Sequence, residues 1–430
     1  MPGVIAAPTR PAASRGPTVD AVTSFDTLWA ELEPLGRHPG TGGYRRYAFD
    51  DAELECREWF VSAAAARGLD VESDRNTNLW AWWVPPGVDP VAPALVLGSH
   101  LDSVPDGGAY DGPLGVVSAF AALDAVRAAG TVADRPLALV AFADEEGARF
   151  GIACAGSRLM TGALSPDKAR SLVGRDGATM AEAMARTGFD PASLGPDPER
   201  LARIGEFVEL HIEQGRGLVE LDAPVGVAAS IWPHGRYRLT FHGVADHAGT
   251  TRMQDRHDPM LAYARTAIGA ETAARASESR ATFGRLEVEP NGTNAVPSTV
   301  RAWLDARAGD QQTLDALVAR IAADAADAAA HNGTSVDVDV ESVTPLLDFD
   351  VPLRDRIATT VSASQGGSEV PVLPTAAGHD AGILAVAGVR TAMLFVRNPT
   401  GISHSPVEHA EVADCHAGVD ALAAVLTELA

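Results

Sequence analysis

Cysteine is scarce in this sequence. The 430 residues include three, Cys56, Cys154 and Cys415, and they lie far apart along the chain. An odd number without close pair spacing argues against a disulfide framework and against a zinc site built from thiolates. We therefore expect reduced thiols in a cytoplasmic protein.

Long apolar runs are also missing. No segment approaches the roughly 20 apolar residues that cross a bilayer, so we expect no membrane association. The first 20 residues are rich in Pro, Ala, Ser and Thr and lack the apolar core of a secretory signal. We interpret residues 1–20 as a disordered lead-in.

Basic residues are outnumbered. The chain has 34 Lys and Arg against 57 Asp and Glu, a formal net charge of −23. Such a surplus of negative charge argues against binding to nucleic acid or to an anionic membrane surface. The same charge balance favours solubility and says little about the fold.

Apolar runs that alternate with helical patterns are what the chain does contain. Runs of this kind are typical of a parallel sheet with helices on its faces, an α/β fold. We predict helices at 53–68 and 114–129, and strands at 71–84, 94–99, 137–143, 207–215 and 391–396.

The pattern changes near residue 230. Strands with alternating polarity are predicted at 236–242, 283–288, 299–307 and 336–340, with helices at 259–276 and 310–331. The order strand, helix, strand, strand, helix, strand is typical of a two-layer α+β unit. We therefore predict an α/β domain of residues 21–229 and 345–430, interrupted by an α+β domain of residues 230–344.

Histidines and acids follow the predicted strands at their carboxyl ends. His100 and Asp102 follow one strand, the acidic turn 144–146 follows another, and His211 lies near the end of a third. Ligands of open α/β sheets gather at these ends, and imidazole and carboxylate groups suit zinc, manganese, cobalt or nickel. A single histidine is more often structural, and an acidic turn is more often merely solvated.

Asp111 and His404 extend this group. Asp111 stands just before a predicted helix, where it would serve as an N-cap, as a metal ligand, or as both. Three histidines and two carboxylates exceed the needs of one catalytic zinc with an open position. They fit two metals that share one carboxylate; the candidates are His100, Asp111, Glu145 or Glu146, His211 and His404.

Eight motifs carry a resemblance to the M20 metallopeptidase superfamily. Within it, the chain resembles the amidase branch of allantoate amidohydrolases and N-carbamoyl-L-amino-acid hydrolases, over nearly all residues after about Ser24. The motifs are SHLDSV at 99–104, GGAYDG at 107–112, EEGARF at 145–150, LHIEQG at 210–215, DHAGTT at 246–251, NAVP at 294–297, GHDA at 378–381 and GISHSP at 401–406.

The resemblance implies two divalent metal ions per subunit. The metal would be zinc, or else manganese, cobalt or nickel. Asp111 would bridge them, with His100 and His211 on one ion and Glu146 and His404 on the other. Glu145 would be the general base, and Asp102 would orient His100. Side chains alternate between the two sides of an extended segment, so Glu145 and Glu146 would face opposite sides. This agrees with the different roles that the resemblance implies for them.

The resemblance also implies a small-molecule substrate that carries a carboxylate. It further implies a lid domain through which the protein forms a homodimer. Its candidate substrate-binding residues are Gln214, His247, Asn294, Arg307 and Gly378, and His247 would stabilise the oxyanion, often across a dimer. The alternative is structural: Arg307 lies in a charge-alternating strand, Asn294 in a turn and His247 in a polar loop. Arg252 departs from the pattern, since relatives generally have proline there.

Three functions follow from this resemblance. The first is cleavage of an N-carbamoyl-L-amino acid or of allantoate. The second is removal of another N-acyl group such as formyl. A dipeptidase or aminoacylase is disfavoured by Gln214, by Arg307 and by His211, which stands where peptidase relatives commonly have an aspartate. The third is a non-catalytic metal-binding relative, which the presence of Glu145 and of all five ligand candidates disfavours.

Overall fold

The computed structural model describes residues 21–430, so the lead-in interpreted for residues 1–20 lies outside the described residues. The helices of the described part are α1 (Ala21–Leu32), α2 (Asp51–Ala66), α3 (Pro113–Ala128), α4 (Ala155–Thr161), α5 (Pro166–Ser171), α6 (Met180–Arg186), α7 (Pro198–Ala202), α8 (Gly217–Glu220), α9 (Pro259–Ala276), α10 (Gln311–His331), α11 (Val351–Ser364), α12 (Asp380–Val386) and α13 (Val412–Leu429). Within residues 21–430, no helix is both long and apolar enough to span a membrane.

The strands of residues 21–430 form one large sheet and two smaller ones. They are β1 (Asp70–Ser73), β2 (Leu79–Trp83), β3 (Ala94–His100), β4 (Leu137–Phe142), β5 (Ile204–Ile212), β6 (Val225–Ile231), β7 (His234–His242), β8 (Asp246–His247), β9 (Arg280–Glu289), β10 (Ala295–Val296), β11 (Thr299–Arg307), β12 (Ser335–Thr344), β13 (Leu347–Asp348), β14 (Val372–Thr375) and β15 (Arg390–Val396).

The large sheet has the order β1-β2-β4-β3-β5-β15-β6-β13, and β14 pairs with β6. Its four central strands, β4, β3, β5 and β15, are parallel to one another. The predicted α/β fold is confirmed. Because parallel strands end at the same edge, the residues that follow them share one edge of the sheet.

Helices cover both faces of the large sheet. Helices α1, α2, α3, α11 and α13 pack on one face, with Phe120 and Leu422 in that core. Helices α4 and α12 pack on the other, with Met160 and Leu384. Every residue of β3 and β4 is buried as a result, which explains why these strands read as unbroken apolar runs.

The single strand predicted for residues 71–84 is wrong. The segment forms β1 and β2, which pair antiparallel. The carboxylate of Asp74 accepts hydrogen bonds from the main-chain N–H groups of Asn76 and Asn78, and Thr77 takes a φ of +67°. Side chains of this type reverse the chain by competing for its own amides.

A second sheet is built from residues of the predicted insertion. Its strands run antiparallel in the order β12-β7-β11-β9, and α9 and α10 pack on one face through Leu239, Val300 and Leu314. Strands β8 and β10 form a separate short pair. The helices and strands of this unit follow the order expected from the sequence, while its role as a lid stays a prediction.

Candidate active site

The carboxyl ends of the central strands bring the predicted metal ligands together. His100 ends β3, His211 lies near the end of β5, and Asp111 comes from the loop that precedes α3. Asp111 Oδ1 lies 3.2 Å from His211 Nε2 and 3.6 Å from His100 Nε2. These three side chains form the inner group of the cluster.

The other oxygen of Asp111 faces an outer group. Asp111 Oδ2 lies 3.5 Å from His404 Nε2, which in turn lies 3.4 Å from Glu146 Oε2. Asp111 is buried, whereas half of the His404 side chain is exposed. The carboxylate of Asp111 therefore stands between two groups, with one oxygen toward each.

The donor atoms of the cluster fit divalent cations. Nδ1 of His100 donates to the carbonyl of Asp102 at 3.1 Å, and Nδ1 of His211 donates to the carbonyl of Ile212 at 2.9 Å. These bonds leave the Nε2 lone pairs free for a metal. Both Nε2 atoms, and Oε1 of Glu146, are buried without a hydrogen-bond partner, which a native protein rarely tolerates unless a ligand fills the site.

Asp102 contacts His100, with its Oδ1 3.5 Å from Nδ1 of His100, and it also positions the two glutamates. Its Oδ1 accepts the main-chain N–H of Glu145 and its Oδ2 that of Glu146, both at 3.0 Å. Glu145 and Glu146 do not lie on the extended backbone that was predicted for them, because β4 ends at Phe142 and Asp144 takes a φ of +53°. The two hydrogen bonds that Asp102 accepts from this turn set the directions of the Glu145 and Glu146 side chains.

Glu145 carries a buried carboxyl group that lies beside His100 of the inner group. Its Oε2 lies 3.7 Å from His100 Nε2, and its Oε1 accepts the thiol of Cys154 at 3.2 Å. Burial raises the pKa of Glu145 to about 7. Burial also acts to raise the pKa of Asp111, but the adjacent imidazoles of His100 and His211 outweigh it and hold that pKa well below its usual range.

The N-cap role considered for Asp111 is wrong. The residue before α3 is Gly112, which caps the helix without a side-chain hydrogen bond. Gly112 has a φ of +86°, and a Cβ there would lie 2.4 Å from Cε1 of His100. The glycine lets the loop pass against the His100 ring and leaves Asp111 free to face the cluster.

Glu408 and Ser403 belong to the site and were missed from the sequence. Glu408 Oε1 accepts the main-chain N–H groups of Tyr110 and Asp111 at 3.1 and 3.0 Å. Ser403 Oγ lies 3.0 Å from Asp111 Oδ2 and 3.1 Å from Glu408 Oε2. Gly108 was the available signal, because a Cβ there would lie 2.2 Å from Glu408 Oε1.

Glu209 is a third residue of the site that was not predicted from the sequence. Its buried carboxylate accepts the hydroxyl of Ser99 at 2.7 Å and the N–H of Ala381 at 3.2 Å. It thus ties β5 to β3 and to the start of α12, next to His379, whose ring packs against that of His211. A glutamate inside an apolar strand was the signal for this role.

A cleft of about 820 Å³ opens over the cluster, between the large sheet and the second sheet. Gln214, Arg307 and Gly378, three of the predicted substrate-binding residues, line it. Gln214 Nε2 donates to Asp111 Oδ2 at 2.8 Å. Arg307 donates from Nη1 to the carbonyl of Ala376 at 2.7 Å.

His247 and Asn294 lie together but outside the residues that line this cleft. Their strands β8 and β10 pair, and Ala248 N–H donates to the carbonyl of Asn294 at 3.0 Å. His247 Nδ1 accepts the N–H groups of Gly249 and Thr250 at 3.0 and 3.2 Å. The proton of a neutral His247 is therefore on Nε2, on an exposed side chain.

Arg252, which stands where relatives generally have proline, lies in the exposed loop that follows His247. It pairs with Asp255 at 2.6 Å and does not line the cleft.

The parallel sheet, the buried cluster at its carboxyl edge and the cleft above it define a divalent-metal-binding enzyme. Residues 96–428 match the profile of peptidase family M20/M25/M40, and the chain belongs to this family. The resemblance to the M20 superfamily is confirmed.

The similar proteins include named amidohydrolases. The N-carbamoyl-L-amino acid amidohydrolase of Geobacillus stearothermophilus is 35% identical over 94% of this chain and 98% of its own length. The allantoate amidohydrolase of Escherichia coli K12 is 32% identical over 93% of this chain and 96% of its own length. A crystal structure of a hydantoinase/carbamoylase family amidase from Burkholderia vietnamiensis superposes with a TM-score of 0.83 at 29% identity, over 96% and 98% of the two chains. This chain is accordingly a hydrolase of amide C–N bonds.

Proposed function

We propose that this chain is a dinuclear metal-dependent amidohydrolase that cleaves an N-carbamoyl-L-amino acid or a related ureido acid such as allantoate. The observation that carries the proposal is the division of the Asp111 carboxylate, whose two oxygens face two separate groups of donors. Removal of another N-acyl group, such as formyl, is the alternative, because it needs the same cluster and differs only in the pocket.

His100 and His211 would hold one ion and Glu146 and His404 the other, with Asp111 shared. Zinc, manganese, cobalt and nickel all accept such a set of nitrogen and oxygen donors. When bound, divalent ions supply Lewis acidity that polarises a carbonyl group and lowers the pKa of water.

Glu145 is the proposed general base. It takes a proton from the attacking water and delivers it to the leaving nitrogen. Asp102 keeps the Glu145 carboxylate over the cleft through its bonds to the turn. Burial beside Cys154 excludes bulk water from this proton transfer.

Arg307, Gln214 and Gly378 would bind the substrate in the cleft. An arginine binds a carboxylate with two parallel hydrogen bonds, and the main-chain amide of Gly378 adds a further donor. Asn294 and His247 would act from the second unit, with His247 Nε2 donating to the developing oxyanion. They would reach the cleft by closure of this unit as a lid or from the partner subunit of a homodimer.

The names of the relatives support two substrates. One similar protein is named for N-carbamoyl-L-amino acids and another for allantoate, and both are ureido carboxylates. The three cysteines are buried and unbridged, which supports the cytoplasmic location that we propose.

Product analysis on protein loaded with manganese or zinc tests this function. N-carbamoyl-L-amino acids, allantoate, N-formyl-L-glutamate and a dipeptide are offered separately, and ammonia and free amine are assayed. We expect ammonia together with a free amino acid from an N-carbamoyl substrate. Ammonia from allantoate alone would assign the ureide reaction, and free amine without ammonia would contradict the carbamoyl assignment.

The variant Glu145→Gln tests the proposed general base in the same experiment. It preserves the size of the side chain but cannot accept a proton, so turnover falls by a factor of about 100 or more. Bound metal, measured by mass spectrometry, stays at the wild-type level because Glu145 is not among the proposed ligands. Full activity in this variant would contradict the proposed mechanism.

A further inference from the structure

The cleft extends beyond the metal cluster, and cationic side chains line both of its walls. Arg236 and Arg307 come from the second sheet, whereas Arg158 and Lys168 come from α4 and α5 of the main body. The carboxylates that line the cleft all belong to the catalytic cluster: Asp111, Glu145 and Glu146. The two walls differ in whether their cationic side chains form ion pairs with carboxylates.

Asp305 partly neutralises the wall formed by the second sheet. It accepts from Arg307 Nε at 2.7 Å and from Nη2 at 3.0 Å, and its Oδ2 lies 3.6 Å from Arg236 Nε. Two guanidinium groups and one carboxylate leave one positive charge. This wall can therefore balance one substrate carboxylate, which is the role proposed for Arg307.

The cations of the opposite wall have no such partner. Arg158 donates from Nε to the carbonyl of Ala153 at 3.0 Å, which leaves its terminal nitrogens available. Within residues 21–430, neither Arg158 nor Lys168 forms an ion pair with a carboxylate. Two unpaired cations on one wall are unexpected in a chain with 57 acidic and 34 basic residues.

Lys168 is also the only lysine in the sequence; every other position that carries a permanent positive charge is an arginine. A lysine ammonium is a compact charge on a flexible stem, and it binds a carboxylate without the planar geometry that arginine requires. The apolar residues Ile152 and Leu164 also line the cleft and can contact the methylene groups of a substrate.

We propose that Arg158 and Lys168 form a distal subsite for a second substrate carboxylate. This inference rests on the proposed function and specifies its substrate: an N-carbamoyl amino acid with an acidic side chain, of the aspartate or glutamate type. Arg307 then holds the α-carboxylate, and the distal subsite holds the side-chain carboxylate. An uncharged side chain would leave two cations facing it without a counter-charge.

Paired substrates of equal shape test the distal subsite. The values of kcat/KM for N-carbamoyl-L-glutamate and N-carbamoyl-L-glutamine are measured on the manganese-loaded protein, and we expect a preference for the glutamate. Lys168→Glu lowers the glutamate-to-glutamine ratio by on the order of tenfold or more, mainly through KM, because it replaces a charge-assisted hydrogen bond by repulsion.

Two variants serve as controls. Lys168→Arg keeps the positive charge and retains the ratio. Arg175→Glu makes the same change of charge at an exposed position that does not line the cleft, and it leaves both rates unchanged.

The outcomes separate the subsite from the proposed function. A wild-type preference for glutamine, or an equal fall for both substrates in Lys168→Glu, overturns the subsite and leaves the amidohydrolase assignment intact. If neither N-carbamoyl substrate is cleaved, the proposed function fails, and calorimetry then compares L-glutamate with L-glutamine as ligands of the metal-loaded protein. Tighter binding of glutamate that is lost in Lys168→Glu supports the subsite, and equal binding overturns it.

Discussion

At the scale of single residues, Asp102 connects the metal cluster to the candidate base. Its carboxylate accepts two main-chain N–H groups, and its own carbonyl accepts Nδ1 of His100. One buried residue thus fixes a turn carrying Glu145 and Glu146 and also fixes the tautomer of His100. Groups that hold metal ligands in this way commonly affect metal affinity or activity by about 10–100-fold.

Asp102→Asn tests this connection. Asparagine keeps one acceptor oxygen but turns an amide donor toward the second N–H, so the turn loosens. We expect kcat to fall about 10–100-fold, while the main-chain bond to His100 remains. Steady-state kinetics and metal content measure the effect.

The control is Asp89→Asn, in which an exposed Asp likewise accepts a main-chain N–H, that of Val91. Its activity should match the wild type. Activity of Asp102→Asn within twofold of the wild type would show that the turn does not depend on this carboxylate.

At the scale of secondary-structure elements, the loop that leads into α3 has little freedom. It carries Asp111 toward the cluster and passes so close to His100 that only a glycine fits at position 112. Gly177 has a similar φ, +82°, but no atom within 4 Å of a Cβ built there. Gly177 therefore serves as a control for an alanine at positive φ without a steric clash.

Gly112→Ala and Gly177→Ala therefore have different expected effects. A left-handed conformation costs an alanine about 1–2 kcal/mol, and Gly177→Ala should lose that amount of unfolding free energy and keep its metal. Gly112→Ala places an alanine at a φ of +86° and a ψ of −60°, outside the left-handed helical region, and it also displaces the His100 ring, so it should lose more stability and bind less metal. Denaturant unfolding and metal analysis measure both quantities, and equal effects in the two variants would contradict the clash.

The same elements show which features the sequence could predict. Strands β3 and β4 are buried on both faces, so their apolar runs were unmistakable, and polar residues at their ends predicted the location of the cluster. The chain reversal within residues 71–84 depends on main-chain N–H groups that donate to Asp74. The turn that carries Glu145 and Glu146 depends in the same way on N–H groups that donate to Asp102. Such bonds join a side chain to a main-chain amide, which apolar periodicity does not record.

At the scale of the whole molecule, the site draws on residues that are distant in the chain. Glu408 holds the backbone of Asp111 from 297 residues away, and no local pattern could reveal that contact. Arg307 reaches the cleft from the second sheet, whereas His247 and Asn294 of the same unit do not line it. The resemblance to a family could predict which residues belong to the site. The distances of these residues from the cleft depend on how the two units are arranged.

Mixed dimers determine from which subunit His247 acts. Glu145→Gln removes the proposed base, and His247→Ala removes the proposed oxyanion donor; each variant alone should have very low activity. If His247 acts across a homodimer, a heterodimer of the two variants contains one complete site, formed by Glu145 of one subunit and His247 of the other. Such heterodimers, purified through two different affinity tags, should recover about half of the wild-type activity, because one of two symmetric sites is restored.

The opposite result is equally informative about the assembly. If His247 reaches the cleft of its own subunit by closure, neither site of the heterodimer has both residues, and activity stays at the level of the single variants. Light scattering on the same samples measures the oligomeric state. A monomer would exclude action across a dimer, and full activity in His247→Ala alone would remove this residue from the mechanism.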